Sequence, residues 1–213
     1  YATVEWECVA LELARRSGLT VPEFRLEQIA GRSVILLRRF DRAGVNRIPF
    51  LSAMSMIGAS DNEQHSYLEL VDALRQFGAA PKEDSHELWR RIVFSILISN
   101  TDDHLRNHGF LYDGARGWRL SPVYDVNPVP ADIKERILTT AISEDDATAS
   151  LELAFSVARD FDLKLDEAKA IAAEVGAGVV TWRDVAADIR IREAEIDRMA
   201  SAFEHRDLEL SLA

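Results

Sequence analysis

The chain has 213 residues, 47% of them apolar and 29% charged, with a formal charge of −11. That length can bury a substantial core as one large domain or two joined lobes, and the acidic balance works against direct binding to nucleic acid or anionic membrane. The apolar runs are too short to span a bilayer and no signal peptide precedes Tyr1, so the expectation is a cytoplasmic protein.

In chain order, apolar residues at Val4, Cys8, Leu11, Leu13 and Ala14 predict an amphipathic helix over Val4–Ser17, closed by Gly18. Cys8, the one cysteine, excludes an intramolecular disulfide and suits a small buried position. The chain opens directly in this helix without Met, and so reads as an internal piece of a longer polypeptide. "PEFRLEQIAGRSVILLRRF" alternates and turns at Ala30-Gly31, the pattern of a β-hairpin. A loop over 41–48 and a short helix over 50–57 follow, then a second amphipathic helix over Tyr67–Phe77, ended by Gly78. Asp84 with Glu87 three residues later suggests a capping box for a helix that becomes wholly apolar over Ile92–Ile98, the pattern of a central buried helix. "HGFLYDGARGWRLSPVYD" predicts two short strands around Asp113-Gly114 and Gly117, and "RILTTAI" another strand. Helical periodicity then covers 149–159, 165–175 and 180–203, and the last ten residues read as a frayed end. The fold class is α+β, mostly helical.

Between the central helix and the hairpin lies "NTDDHLRNHGF", with more carboxylates and amides than a turn needs. Capping and turn formation account for Asn100, Thr101, Asp103 and Asn107 on their own. Asp102 and Asn107, however, are spaced D-x-x-x-x-N. Protein kinases use that spacing to place a hydroxyl-orienting Asp and a Mg²⁺-binding Asn beside one γ-phosphoryl group. A second metal carboxylate should return after a hairpin, and Asp125 in "PVYDVNP" follows one. His104, two residues after Asp102, is placed either to reach the transferred phosphate or to order the loop. Asp102-Asp103-His104 would also suit a di-metal hydrolase, but no second His/Asp cluster at ligand spacing accompanies it. His108 reads as a surface residue, and Trp118 and Tyr124 as packing residues of the hairpin.

The string "ISNTDDHLRNHGFLYD…WRLSPVYDVNP", with "ELARRSGLTVPEFRL" and "LLRRFDR" upstream, resembles the HipA family of serine/threonine kinase toxins. The resemblance covers residues 1 to about 200. It implies a protein-kinase-like C-terminal lobe with a small β hinge region: residues 1–48 as remnant of the N-terminal lobe and hinge, 49–213 as the helical lobe. It implies Asp102 as catalytic Asp, Asn107 and Asp125 as Mg²⁺ ligands, Phe40 as an adenine contact at the hinge, and His104 at the nucleotide phosphates. Glu7 is a weaker match to the glutamate that faces the ATP-binding lysine, and Arg38 stands where an acidic hinge residue would be expected. The implied cofactors are Mg²⁺ and ATP. The implied partners are a protein substrate and a HipB-like DNA-binding antitoxin, with DNA contacted only through that antitoxin. Two features of the family have no counterpart: a Gly-rich, Ser-containing phosphate loop and a lysine strand before the first helix. The four lysines are Lys82, Lys134, Lys164 and Lys169.

Overall fold

The computed structural model describes residues 3–60 and 63–213; the expectation attached to Tyr1 lies outside them. Helix α1 (Thr3–Arg16) buries Trp6, Cys8, Val9, Ala10, Leu13 and Ala14, and ends before Gly18 at φ 76°. Strands β1 (Phe24–Ile29) and β2 (Arg32–Leu37) pair antiparallel, Ile29 opposite Arg32. Ala30 and Gly31 between them both have positive φ, 50° and 76°, as a two-residue hairpin turn matched to strand twist requires.

The expected loop over 41–48 contains a two-residue ladder, β3 (Arg42–Ala43) with β4 (Asn46–Arg47). The segment 50–57 divides: β5 (Phe50–Ser52) joins a sheet, and Ser52 then caps α2 (Ala53–Ile57) through its hydroxyl. Helix α3 (Tyr67–Phe77) starts from a Ser66/Glu69 capping box. Helix α4 begins at Pro81 and runs to Leu97, so Asp84 caps nothing. Proline at the first helical position sets the start. The buried Asp84 carboxylate instead takes both ends of the Arg119 guanidinium (2.9 and 3.0 Å) and the Leu120 N–H (3.1 Å), bracing the hairpin of β6 (Gly109–Tyr112) and β7 (Trp118–Leu120). The order β5-β6-β7 is antiparallel throughout.

"RILTTAI" does not form a strand. Leu138 and Thr140 are buried alternately as the pattern implies, but the segment makes only single bridges, Ile137 with Thr148 and Ala141 with Ser66. It is a strap laid across the end of α4.

The C-terminal half is helical: α5 (Leu151–Ser156), α6 (Leu165–Val179), α7 (Trp182–Asp188), α8 (Glu193–Phe203) and α9 (Arg206–Ser211). The periodicity over 180–203 hides a break between α7 and α8, because Val185 and Ile191 stay buried on either side of Arg190 at φ 66°. Trp182 stacks on Phe203 at 4.5 Å, with Trp6 of α1 at 6.4 and 6.3 Å from the two rings. Side chains of this size contribute roughly 1.5–3 kcal/mol each on burial, so α1, α7 and α8 share one core. Helices α1 and α6 come close because position 178 is glycine; a Cβ there would sit 2.7 Å from the Ser17 backbone nitrogen. Among the described residues no helix is long and apolar enough to cross a membrane.

The tail is not frayed. Arg136 holds Asp207 (2.7 Å), the Ile96 carbonyl (2.9 Å) and Ser99 Oγ (3.1 Å) together, and Asp207 accepts the Leu151 N–H. His205 places Nε2 3.2 Å from the Leu97 carbonyl. Burial, then the Arg136 charge, depresses His205 to about 4. Neutral His205 therefore stabilises the fold above its unfolded value near 6.5, and that contribution is lost as pH falls from 6.5 toward 4. The linkage amounts to up to about 3 kcal/mol. Thermal melts at pH 7 and pH 5 should show a drop in Tm that His205→Gln largely removes. An equal drop in both proteins would refute it.

Candidate active site

The site is built where the apolar α4 runs out. Ser99, at φ 52°, turns the chain out of the helix, and the carbonyls that follow are each fixed by donors. Thr101 O accepts from Lys134 Nζ and Thr139 Oγ1, both at 3.0 Å. Asp102 O accepts from the His104 N–H at 2.9 Å and Asn107 Nδ2 at 3.2 Å. Asp103 O accepts from Thr140 Oγ1 at 2.7 Å. A 3-10 turn over Leu105–Asn107 then returns the chain to β6. Asp102 is left exposed while Asn107 is buried.

The Asn107 side chain joins two segments distant in sequence. Its Nδ2 also lies 3.4 Å from the Asp125 carbonyl. With the amide hydrogens aimed at two carbonyls, Oδ1 is the atom left to bind a cation. Asp125, exposed and at φ 55°, is steadied by Asn127 Nδ2 on Oδ1 (3.3 Å). One residue earlier, the Tyr124 hydroxyl donates to the Arg106 carbonyl at 2.6 Å. Asp102, Asn107 and Asp125 thus share one small region. Their oxygens are hard donors of the kind Mg²⁺ takes. Among the described residues no group of three or more His, Cys, Asp or Glu could hold a metal ion. Two carboxylates and one amide oxygen are fewer ligands than an octahedral Mg²⁺ shell takes, so an ion held here would need further oxygens from outside the chain.

Glu7 on α1 belongs to the same electrostatic neighbourhood. Burial, and then the charge of Asp125, raise its pKa above the usual carboxylate value.

Next to Tyr124 opens a cavity of about 290 Å³, lined by Pro22, Leu37, Phe40, Phe50 and Tyr124 with Arg38, Arg39 and Asp41. Its three rings lie 5.7–6.4 Å apart, Phe40 facing both Phe50 and Tyr124. Such an aromatic slot accepts a flat heteroaromatic ring. Arg38 is paired with Glu23 (2.9 Å) and Arg39 with Asp41 (2.6 Å). Tyr124, read from the sequence as hairpin packing, is a wall of this cavity.

His104 sits elsewhere. With Arg106, Met54, His65, Thr139 and Thr140 it lines a separate cavity of about 230 Å³, and its Nδ1 is buried without a partner. Phe40 and His104, both predicted to contact nucleotide, therefore lie in different hollows.

His108 is 3% exposed, not a surface residue, and its Nε2 lies 2.9 Å from Asp103 Oδ1. Asp103, equally buried, also accepts from Ser95 Oγ (2.9 Å) and from the Tyr67 hydroxyl. Burial alone would raise its pKa, but His108, Tyr67 and Ser95 together hold it below the usual carboxylate value. The Tyr67 ring meets His108 edge-on at 5.5 Å. One signal in the sequence marks this pair: Asp103 and His108 repeat the five-residue spacing of Asp102 and Asn107.

Residues 1–183 match the HipA-like C-terminal domain family. The chain belongs to that family. A Haemophilus influenzae protein named "Putative kinase" is 28% identical over 172 residues, which is 71% of this chain and 50% of that protein. "Putative kinase Y4mE" of Sinorhizobium fredii is 26% identical over 135 residues, 58% of this chain and 32% of its own. The HipA-family chain thus spans half or less of the curated relatives it matches. Two solved structures share its fold over 100% of its length. HipA of Shewanella oneidensis, determined with HipB and operator DNA, superposes with a TM-score of 0.76 at 16% identity, over 55% of that chain. CtkA, a proinflammatory kinase of Helicobacter pylori, gives 0.63 at 13%, over 86% of its chain. The fold is kinase-like α+β.

Proposed function

We propose that this HipA-like domain is the phosphoryl-transfer region of a toxin-type protein serine/threonine kinase. The observation that carries the reading is the Asn107 side chain bridging the Asp102 and Asp125 carbonyls beside an aromatic slot. Asp102 orients the attacking Ser or Thr hydroxyl and takes its proton. The new O–P bond forms as the bond from the γ-phosphorus to the β–γ bridging oxygen breaks, and ADP leaves. Phe40, Phe50 and Tyr124 hold the adenine. Asn107 and Asp125 hold Mg²⁺, which supplies charge neutralisation at the phosphate oxygens. His104, two residues from Asp102 on the same loop, is assigned to the phosphates. Residues 1–48 act as the hinge side and 49–213 as the helical lobe. A HipB-like antitoxin is the regulatory partner and carries the DNA contacts, in keeping with a net charge of −11 on this chain; the reaction takes place in the cytoplasm.

One feature favours a second reading, a kinase-like domain that binds an antitoxin without catalysis: Asp102 and Asp125 are both exposed carboxylates, while Arg38 and Arg39 beside the slot are already paired with Glu23 and Asp41. Nucleotide binding separates the two. With Mn²⁺ replacing Mg²⁺ and ATP present, NMR signals of Asp102, Asn107 and Asp125 should broaden selectively. Asp125→Ala should suppress the effect more than Asn107→Ala, because the carboxylate contributes charge as well as an oxygen. Broadening that ignores ATP, or that centres on other acidic surfaces, would reject the metal assignment.

A further inference from the structure

The loop after α4 carries two interleaved pairs with the same five-residue spacing, Asp102 with Asn107 and Asp103 with His108. The first pair is the proposed chemistry. The second turns the other way, into the core. Asp103 and His108 are each 3% exposed. Around Asp103, Tyr67 comes from α3, Ser95 from the last turns of α4 and His108 from the entry to β6. The Thr140 hydroxyl on its carbonyl comes from the strap. Four separate segments therefore converge on one residue.

An ionised carboxylate is costly to bury unless several partners meet it in a defined geometry. A site that satisfies Asp103 in one orientation penalises any rotation of the loop. In this turn the two side chains diverge, Asp103 buried and Asp102 exposed, so fixing Asp103 inward leaves Asp102 on the solvent side. Chemically identical side chains are thus given opposite tasks by their surroundings. We propose that Asp103 is a positioning residue, whose buried pairing with His108 sets the loop so that Asp102 and Asn107 face the reacting groups. It touches neither nucleotide nor acceptor. The inference rests on the kinase reading for its catalytic consequence but not for its structural one.

Two measurements test it separately. In hydrogen exchange on this chain, Asp103→Asn and His108→Gln should each speed exchange over residues 100–107 by about tenfold, while α6 keeps its protection. The double variant, which replaces both partners with amides that can bond each other, should recover part of that protection. If Asp103→Asn fails to fold, Ser95→Ala removes the 2.9 Å bond to Asp103 and the longer 3.4 Å one from Asn100 Nδ2, and should show the same effect over residues 101–107. Wild-type exchange over 100–107 in these variants would overturn the proposal. In a form of the polypeptide that transfers phosphate, kcat per folded molecule should fall about tenfold or more with little change in KM for ATP, as for a misplaced catalytic group. An unchanged kcat alongside faster loop exchange would overturn the positioning role. Asp102→Asn is the control: it should lose transfer while keeping wild-type loop exchange. Absence of transfer from every form of the wild-type protein would reject the kinase reading, and exchange alone would then decide on Asp103.

Discussion

Asp102→Asn should lower phosphoryl transfer by about 10²–10⁴-fold in a form of the polypeptide that catalyses it, the scale of losing a positioned base. The change is nearly isosteric. The Asp102 contacts that shape the loop run through its backbone carbonyl, which takes the His104 N–H and Asn107 Nδ2, so the turn should survive. ATP binding should change little, because the aromatic slot and the metal oxygens belong to Phe40, Tyr124, Asn107 and Asp125. A radiolabel transfer assay with the nucleotide Kd measured in parallel separates the two. Near-full transfer by Asp102→Asn would remove Asp102 from the mechanism, and a large rise in Kd would recast it as a metal ligand.

The nearness of Asp102 and Asn107 was legible in the sequence because the constraint is short-range. Asp102 and Asn107 lie on one turn, and a hairpin is a simple device for bringing a later residue such as Asp125 back to it. The helices were legible for the same reason, since burial recurs at 3.6 residues over Tyr67–Phe77 and Ile92–Ile98. What escaped was whatever depends on the direction of an irregular backbone. No period tells which of two adjacent aspartates in a loop faces the core, so Asp103 reads as a turn residue and His108 as surface. Asp84 has the spacing of a cap, yet its partner Arg119 is 35 residues away. Residues 136–142 alternate like a strand, but their backbone donors go to Ala147, Asp146 and His65 rather than to a neighbouring ladder. The tail looks too polar to pack, and it is anchored by Arg136, a residue of that same strap. Tyr124 was assigned to hairpin packing because nothing local shows that Phe40 and Phe50 converge on it.

The 213-residue chain on its own should bind Mg²⁺-ATP weakly. A triphosphate brings about four negative charges to a site already holding Asp102 and Asp125, near Glu7, whose pKa is raised first by burial and then by the Asp125 charge. Asp103, which the sequence would have added to that field, is turned inward and does not face the phosphates. This lessens the repulsion without supplying a cation. Among the lysines, Lys134 directs its ammonium to the Thr101 carbonyl. The Arg91 guanidinium is buried against Glu87 and the Ser121 carbonyl. Transfer enzymes of this kind cradle the β- and γ-phosphates with backbone N–H groups of a Gly-rich loop and a lysine, whereas beside the slot here Arg38 and Arg39 are already paired with Glu23 and Asp41. The slot formed by Phe40, Phe50 and Tyr124 can hold the base, but base stacking alone is worth only about 1–3 kcal/mol. Calorimetric titration should therefore give an affinity well short of low-micromolar, and little discrimination between ATP and adenosine. A longer form of the protein that contributes a phosphate loop and a lysine should bind far more tightly and prefer the triphosphate. Low-micromolar binding of Mg²⁺-ATP by these 213 residues would show that the site cradles the phosphates by other means, and the account of its electrostatics would have to be abandoned.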